Sequence, residues 1–221
     1  MRNEENNPPL SMETNMQSNT PIKLYRNVLS GHAHRVELFL SLLGLPYSLI
    51  EIDLRAGQHK QPEFLALNPF GQVPVIDDNG VVVADSNAIL IYLATKYGDE
   101  HWLPRDPIGS ANIQRWLSVA AGDIAFGPAA ARLGKGLGMP VDMDAATQRA
   151  QNLFAIMESL LQARPLLAGH YLTIADIACY SYIVRAPEGG ISLAPYPEIR
   201  AWLTRIEALP RFVPMIALAA S

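Results

Sequence analysis

The stretch that decides the fold is QVPVIDDNGVVVADS, residues 72–86. Asp78-Asn79-Gly80 is a strong hairpin signal, because asparagine and glycine accept the positive φ values that tight turns require. We therefore predict a strand over residues 72–76 and a return strand over residues 81–83. Pro74 cannot donate to a sheet ladder, so it belongs near the beginning of the first strand.

The residues before the hairpin predict two more strands and two helices. The first helix is indicated by apolar residues at i, i+3, i+4 and i+7, which form one buried stripe. Asp85-Ser86 then caps a further helix, which is closed by Gly98. The order predicts an α/β domain over residues 21–98. Its other elements are a strand over 22–28, the helix with the stripe Val36, Phe39, Leu40 and Leu43, a strand over 50–54 and a short helix over 62–67.

The composition changes after Gly98. Two prolines in residues 99–107 predict a linker, and residues 108–221 show only helical patterns apart from a glycine-rich loop at 134–139. Thr173-Ile174-Ala175-Asp176 is a capping box in which Asp replaces Glu or Gln. The sequence thus predicts an all-helical second domain, with helices over 108–133, 143–163, 174–186 and 197–208.

The composition is that of a folded chain and excludes several classes of protein. Of 221 residues, 49% are apolar and 17% are charged, against a typical charged share of about 25%. A net charge of −4 offers no basic surface for nucleic acid, and no apolar run suits a membrane span. Residues 1–20 are polar, and we expect a disordered leader there. The single cysteine, Cys179, fits a reducing compartment, so we expect a cytoplasmic protein.

Several motifs resemble those of cytosolic glutathione transferases. Residues 30–36 (SGHAHRV) are similar to the active-site start of the serine-type enzymes, and residues 57–60 (GQHK) to the segment near the glycine end of glutathione. Residues 68–74 (NPFGQVP) closely resemble the glutathione loop. Asp85-Ser86 stands where the family usually has Glu-Ser. The resemblance covers residues 22–211, is nearest to bacterial relatives of the theta and phi classes, and implies a thioredoxin-like N-terminal domain followed by an all-α helical C-terminal domain.

The resemblance implies that glutathione is a co-substrate and that no cofactor or metal is required. Ser30 is expected to donate a hydrogen bond to the glutathione sulfur, which stabilises the nucleophilic thiolate. Pro74 is expected to be cis, with the backbone of Val73 pairing with the peptide. Ser86 would bind the γ-glutamyl carboxylate and Asp85 the α-amino group. The rest of the expected glutathione-binding set is His59 and Lys60, at the glycine carboxylate, and Gln72.

Each of these residues also has a plainer explanation. Ser30 and Asp85-Ser86 fit simple helix caps, and His59 and Lys60 fit a solvated loop. His32 and His34 do not suit a metal site, because residues i and i+2 of a helix do not face each other. His32 is a second candidate for the sulfur pocket. Arg35 either supports the first helix and the loop electrostatically or is a solvated surface residue.

The second substrate is expected between the domains, in an apolar pocket. Trp116 and Phe126 are the candidates for its lining, although aromatic residues at such positions are more often part of the core. Cys179 is predicted to be a buried structural residue. Because position 30 is serine, thiol–disulfide exchange is disfavoured as the main activity.

We therefore predict a cytoplasmic glutathione transferase that joins the glutathione thiolate to electrophilic, largely apolar small molecules. A homodimer is expected, with contacts from the helix after Ser86 and from helix 108–133, and neither nucleic acid nor membrane is an expected partner. Two alternatives stay open. One is a glutathione-dependent isomerase of the maleylacetoacetate type, and the other is a non-catalytic binding module on the same fold.

Overall fold

The computed structural model describes residues 20–218, in which an α/β part precedes an all-helical part. This order confirms the predicted fold class. The leader predicted for residues 1–20 lies outside the described residues, except for Thr20. The elements of the first part are β1 (Ile22–Arg26), α1 (Gly31–Leu42), β2 (Tyr47–Glu51), α2 (Pro62–Leu65), β3 (Val75–Asp78), β4 (Val81–Ala84) and α3 (Ser86–Tyr97).

The four strands form one mixed sheet in the order β2-β1-β3-β4. β1 runs parallel to β2 and antiparallel to β3, and β3 and β4 form the predicted hairpin. Asn79 and Gly80 both have positive φ, 52° and 90°, as a two-residue hairpin turn requires. The ladder begins at Val75, directly after Pro74, and not at residue 72, since proline lacks the donor that pairing needs.

The second strand lies earlier in the chain than its alternating pattern predicts. β2 covers Tyr47–Glu51 and not residues 50–54. The chain turns at Asp53, whose Oδ1 accepts hydrogen bonds from the backbone amides of Arg55 and Ala56 at 2.8 and 2.9 Å. This turn ends the strand although the apolar–polar alternation continues.

The helical part contains α4 (Pro107–Val119), α5 (Met143–Ala163), α6 (Ile174–Val184) and α7 (Pro197–Glu207). The prediction of one α-helix over 108–133 is wrong after Val119. The chain continues there as two π-helical segments, Ala120–Ala129 and Arg132–Gly136. Pro128 lies inside the first, and a proline ring collides with the preceding turn of an ordinary α-helix. The predicted loop at 134–139 is therefore helical as far as Gly136.

One hydrophobic core joins the two parts of the molecule. α6 lies at its centre and is buried from Ile174 to Ile183. The capping box of α6 forms as predicted between Thr173 and Asp176. Cys179 is fully buried, also as predicted. Within residues 20–218, no helix combines the length and apolar character of a membrane span.

Candidate functional site

A cavity of about 820 Å³ lies between the start of α1, the segment 54–74 and the start of α3. The sequence separates these three segments, and the sheet brings them together. His32 contributes to the lining beside residues predicted to bind glutathione. Those predicted residues are Ser30, His59, Lys60, Gln72, Val73, Pro74, Asp85 and Ser86, all of which line the cavity.

Ser30 is the N-cap of α1. Its backbone is extended, and its Oγ accepts a hydrogen bond from the backbone amide of Ala33 at 3.2 Å. This bond uses a lone pair of the oxygen, so the hydroxyl hydrogen stays available for a ligand in the cavity. The start of the helix adds positive potential at the same place. Capping the helix and donating to a ligand are therefore compatible tasks for this side chain.

The loop of residues 68–74 is held in shape by Asn68 and Lys60. The Asn68 amide accepts from the backbone amide of Phe70 at 3.1 Å and donates to the Gln72 carbonyl at 2.8 Å. Lys60 Nζ donates to the carbonyls of Phe70 and Gly71 at 3.3 and 3.2 Å. Since an ammonium has three donors, Lys60 retains one for a ligand.

Two further features of the segment 54–74, which lines the cavity, are relevant to ligand binding. The Val73–Pro74 peptide bond is cis, as predicted. His59 lies in a short 3₁₀-helix, Gln58–Lys60. Its Nδ1 is buried and has no hydrogen-bond partner among residues 20–218. A buried nitrogen without a partner is costly, and it suits a polar group of a ligand in the cavity.

Asp85 and Ser86 open α3 from a strained backbone position. Asp85 has φ 73° and ψ 126°, a backbone conformation that residues other than glycine rarely adopt. Its Oδ1 accepts hydrogen bonds from the backbone amides of Asn87 and Ala88 at 2.9 and 3.0 Å. Strain of this kind is concentrated at ligand sites. It keeps the Asp85 side chain at the mouth of the cavity, with Ser86 buried beside it.

Arg35 lies fully buried beneath the start of α3, so the prediction of a solvated surface residue is wrong. Its Nη1 donates to Ser86 Oγ at 3.3 Å and to Asn87 Oδ1 at 3.0 Å. Among the residues that the structure describes, neither Nε nor Nη2 has an acceptor. Burial lowers the pKa of the guanidinium. The start of α3 is thus hydrogen-bonded to a buried cation that has further donors without acceptors in the described part of the chain.

His32 also lines the cavity and is a neighbour of Ser86. Its Nδ1 lies 3.4 Å from Ser86 Oγ, and its ring meets Tyr182 edge-on with centroids 5.1 Å apart. Burial, and then the charge of Arg35, lower the pKa of His32 to about 3. The imidazole is therefore neutral near pH 7 and adds polarity to the site without charge.

The helical part closes over the start of α1 through Tyr182. A Cβ atom on Gly31 would lie 2.7 Å from Cζ of the Tyr182 ring, closer than packed atoms approach. A side chain at position 31 would force the Tyr182 ring to shift, so glycine permits this packing of α6. This contact fixes the position of the N-terminus of α1 against the second domain.

His34 points away from the cavity. Its Nε2 donates to the Val213 carbonyl at 2.9 Å, which leaves Nδ1 to accept from the Ser181 hydroxyl at 2.8 Å. Burial lowers the pKa of His34 to about 4. Within the described range 20–218, no three His, Cys, Asp or Glu side chains gather as a metal site.

The aromatic residues predicted for the electrophile pocket do not line the cavity described above. Trp116 is only 3% exposed and packs in the core, so the prediction that it lines a substrate pocket does not match its position. Phe126 is 66% exposed and is not part of the cavity lining. Phe126 remains a candidate, whereas Trp116 matches the plainer explanation of a core residue.

Two residues of the site region were not predicted from the sequence. Asn87 accepts from Arg35 and donates through Nδ2 to the Leu117 carbonyl of α4 at 3.0 Å. Arg132 donates to the Leu29 carbonyl, next to Ser30, at 2.7 Å. The signal for Arg132 is a lone cation within the apolar run 128–133, where a charged side chain requires buried partners.

Comparisons with known proteins agree with this geometry. Residues 20–95 match the family model for the glutathione S-transferase N-terminal domain, and residues 141–210 match that for the C-terminal domain. Glutathione S-transferase 3 of Zea mays is 35% identical, over 89% of this chain and 94% of the relative. Glutathione S-transferase theta-2 of Homo sapiens is 32% identical, over 85% of this chain and 81% of the relative.

A solved structure extends the agreement to the backbone. A glutathione S-transferase from Pseudomonas fluorescens superposes with a TM-score of 0.83, at 34% identity, over 89% of this chain and all of the other. The resemblance predicted from the motifs, and the thioredoxin-like class of the first domain, are thereby confirmed. With both family domains matched and such identity along most of its length, the chain belongs to the glutathione S-transferase family.

Proposed function

We propose that this protein is a glutathione transferase that joins the thiolate of glutathione to electrophilic, largely apolar small molecules. The observation that carries the proposal is Ser30. Its oxygen is engaged by the Ala33 amide and its hydrogen is left to donate, at a helix N-terminus that opens into the cavity. A hydroxyl donor and a helix dipole both favour a thiolate over a thiol and so lower the thiol pKa.

The cavity suits glutathione as an extended peptide. The backbone of Val73 would pair with its central part, as an added strand pairs with a sheet edge. Ser86, with the α3 N-terminus, would bind the γ-glutamyl carboxylate, and the Asp85 carboxylate would bind the α-amino group. The free Nδ1 of His59, the remaining donor of Lys60 and the amide of Gln72 complete the site, with His59 and Lys60 at the glycine carboxylate.

The chemistry needs only a stabilised thiolate and a nearby electrophile. The thiol proton leaves to solvent, and the sulfur then forms a bond to the electrophilic carbon as a leaving group departs or a double bond opens. His32 is neutral and supports the site as a polar neighbour of Ser86. Arg35 supports Ser86 from below.

Homodimerisation is part of the proposal. Large apolar side chains are exposed on α4, with Ile108 at 76%, on α3, with Ile91, and on the loop 68–74, with Phe70 at 78%. Such patches mark interaction surfaces, and a second copy of this chain is the expected partner. Light scattering at micromolar concentration is expected to give about twice the chain mass of 24.2 kDa, and a monomer mass would reject the dimer. A cytoplasmic location is proposed as well.

The test is retention on immobilised glutathione combined with a conjugation assay on a panel of halogenated nitroaromatic electrophiles. Ser30→Ala should lower kcat by about a hundredfold while changing glutathione affinity much less, because it removes one donor that acts on the developing charge. Net consumption of glutathione separates this reaction from isomerisation, which regenerates it. Retention without turnover on any electrophile would favour a binding module.

A further inference from the structure

Arg132 links the helical domain to the segment that carries Ser30. The side chain is 1% exposed and lies in the π-helical segment Arg132–Gly136. Its Nε donates to Glu188 Oε2 at 2.6 Å, and its Nη1 donates to the Leu29 carbonyl at 2.7 Å. The acceptor belongs to the residue directly before Ser30, so one guanidinium spans both domains at the site.

This contact completes the restraint on one peptide group. The peptide between Leu29 and Ser30 has its N–H bound to the Asn27 carbonyl at 2.9 Å. Its C=O is bound by Arg132. Because a peptide group is planar, holding both its donor and its acceptor fixes the orientation of the plane. The plane in turn determines where the Ser30 side chain begins.

The fold brings Glu188 to Arg132 through a close backbone approach. Glu188 lies in the 3₁₀-helix Ala186–Gly189. A Cβ atom on Gly189 would lie 2.8 Å from the backbone carbon of Ala131 and from the backbone nitrogen of Arg132. Only glycine permits this contact. Glu188 is further held by the Leu218 amide at 3.2 Å, so the partner of Arg132 is itself fixed.

We propose that Arg132 is a positioning residue that holds the Ser30 hydroxyl on the glutathione sulfur through the Leu29 carbonyl. The inference rests on the proposed function. Glu188 pairs with Arg132 and also with Arg185, whose Nε lies 3.6 Å from Oε1; the proposed effect is carried by the hydrogen bond from Arg132 to the Leu29 carbonyl. The peptide anchors at Val73, Asp85 and Ser86 are separate from Arg132. Thiolate stabilisation should therefore depend on Arg132, and glutathione affinity should not.

The test is a double-mutant cycle on the full chain with Arg132→Met, Ser30→Ala and the double variant. The ultraviolet absorbance of bound glutathione thiolate is titrated with pH, and kcat and KM are measured. Arg132→Met should raise the thiol pKa by about one unit and lower kcat by about tenfold with KM for glutathione nearly unchanged. In the Ser30→Ala background, the same substitution should have almost no further effect on the thiol pKa.

The matched control is Arg149→Met. It removes an exposed ion pair with Asp123 of the neighbouring π-helical segment and should leave the titration unchanged. No shift for Arg132→Met, or an equal shift in both backgrounds, would overturn the proposal. Should Arg132→Met fail to fold because Glu188 loses its partner, Arg132→Met combined with Glu188→Gln carries the same cycle without an unpaired buried carboxylate, and its failure to shift the pKa would also overturn the proposal. Absence of a thiolate signal in the wild type would instead reject the proposed function.

Discussion

Asp176 in the helical domain and Arg35 at the domain boundary are both fully buried, yet their pairing differs. Asp176 accepts hydrogen bonds from the Leu167 amide at 3.0 Å, from Thr173 through its amide and hydroxyl, and from Trp202 Nε1 at 3.0 Å. Arg35 donates only through Nη1, and Nε and Nη2 have no acceptor within residues 20–218. One ionisable side chain is completely hydrogen-bonded, and the other is not; burial raises the pKa of Asp176, and its hydrogen bonds oppose this shift.

The difference separates a structural group from a group beside a ligand site. A buried charge is tolerated when hydrogen bonds replace its lost hydration, which Asp176 achieves with donors from three parts of the helical domain. Among the described residues, the buried Arg35 guanidinium has donors without acceptors, which costs free energy of folding. It lies next to the proposed carboxylate site at Ser86. Incomplete pairing of a buried ion beside a cavity is a mark of function. We therefore expect substitutions at Asp176 to change stability and substitutions at Arg35 to change glutathione binding.

The largest effect is expected for Asp176→Ala. The change leaves the buried donors of Leu167, Thr173 and Trp202 unpaired, which should lower the free energy of unfolding by about 3 kcal/mol. Urea denaturation followed by far-ultraviolet circular dichroism measures it. Glutathione affinity of the folded fraction should stay within about twofold of the wild type.

The matched control for Asp176 is Asp142→Ala. Asp142 is the N-cap of α5, whereas Asp176 is the N3 residue of the α6 capping box; the Asp142 carboxylate accepts from the Ala145 amide at 3.0 Å, and this bond is exposed. Its loss should cost only about 1 kcal/mol. Equal losses at the two positions would show that capping alone, without the buried network, explains Asp176.

Arg35→Met should change glutathione binding strongly and stability little, which is the reverse of Asp176→Ala. A methionine of similar length replaces an incompletely paired buried cation, and such replacements are often neutral in stability. The free energy of unfolding should change by less than about 1 kcal/mol, while KM for glutathione rises by about tenfold. Calorimetric titration with glutathione and urea denaturation measure the two effects. A large loss of stability with unchanged affinity would place Arg35 with Asp176 as a structural group.

A smaller effect on the binding side is expected for Asp85→Asn. Asparagine keeps the Oδ1 acceptor for Asn87 and Ala88 and tolerates positive φ, so the cap and backbone are retained. Only the charge facing the α-amino group is removed. KM for glutathione should rise about fivefold, in line with one exposed charged contact, with the urea midpoint unchanged. An unchanged KM would remove Asp85 from the ligand site.

The contrast also explains which parts were predictable from the sequence. The capping box of Thr173 and Asp176 is local, and its spacing is visible in the chain. The partners Leu167 and Trp202 are not, because the segment between α5 and α6 must fold back to bring the Leu167 amide to Asp176, and α7 must pack nearby to bring Trp202. The hairpin at Asn79-Gly80 was predictable for the same local reason.

Apart from β2, which a local turn at Asp53 ends, the misplaced features depend mainly on contacts between distant segments. Arg35 is a cation in an amphipathic pattern, and nothing near it in the sequence shows that α3 and α6 cover it. Nothing in the sequence around Trp116 distinguishes a core residue from a residue that lines a pocket. The π-helical segments follow from Pro128 and from close packing of Gly127 on the backbone of Ala150, whereas apolar periodicity alone predicts a continuous α-helix. The sequence thus reports which side chains suit the chemistry, and tertiary packing decides which of them meet.

His34 provides the smallest and most specific test of the comparison. It shares α1 with Arg35 but is completely paired, like Asp176, between the Ser181 hydroxyl and the Val213 carbonyl. Burial lowers its pKa to about 4, against about 6.5 in an unfolded chain. Between these values the unfolded state binds more protons, so stability is complete above pH 6.5 and falls as the pH drops toward 4. His34 should therefore contribute to acid lability and not to glutathione binding.

The measurement is the urea midpoint of wild type and His34→Gln at several pH values between 7 and 4. Glutamine keeps an amide donor and acceptor but has no proton to gain, so the variant should begin less stable at pH 7 by about 1 kcal/mol. Its midpoint should then fall less steeply with acid than that of the wild type. His32, with its pKa lowered to about 3, retains its own acid dependence in both proteins and cancels from the difference. Parallel curves would mean that His34 is not the titrating group, and a loss of glutathione affinity at pH 7 would show that complete pairing does not by itself separate structural from ligand-binding groups.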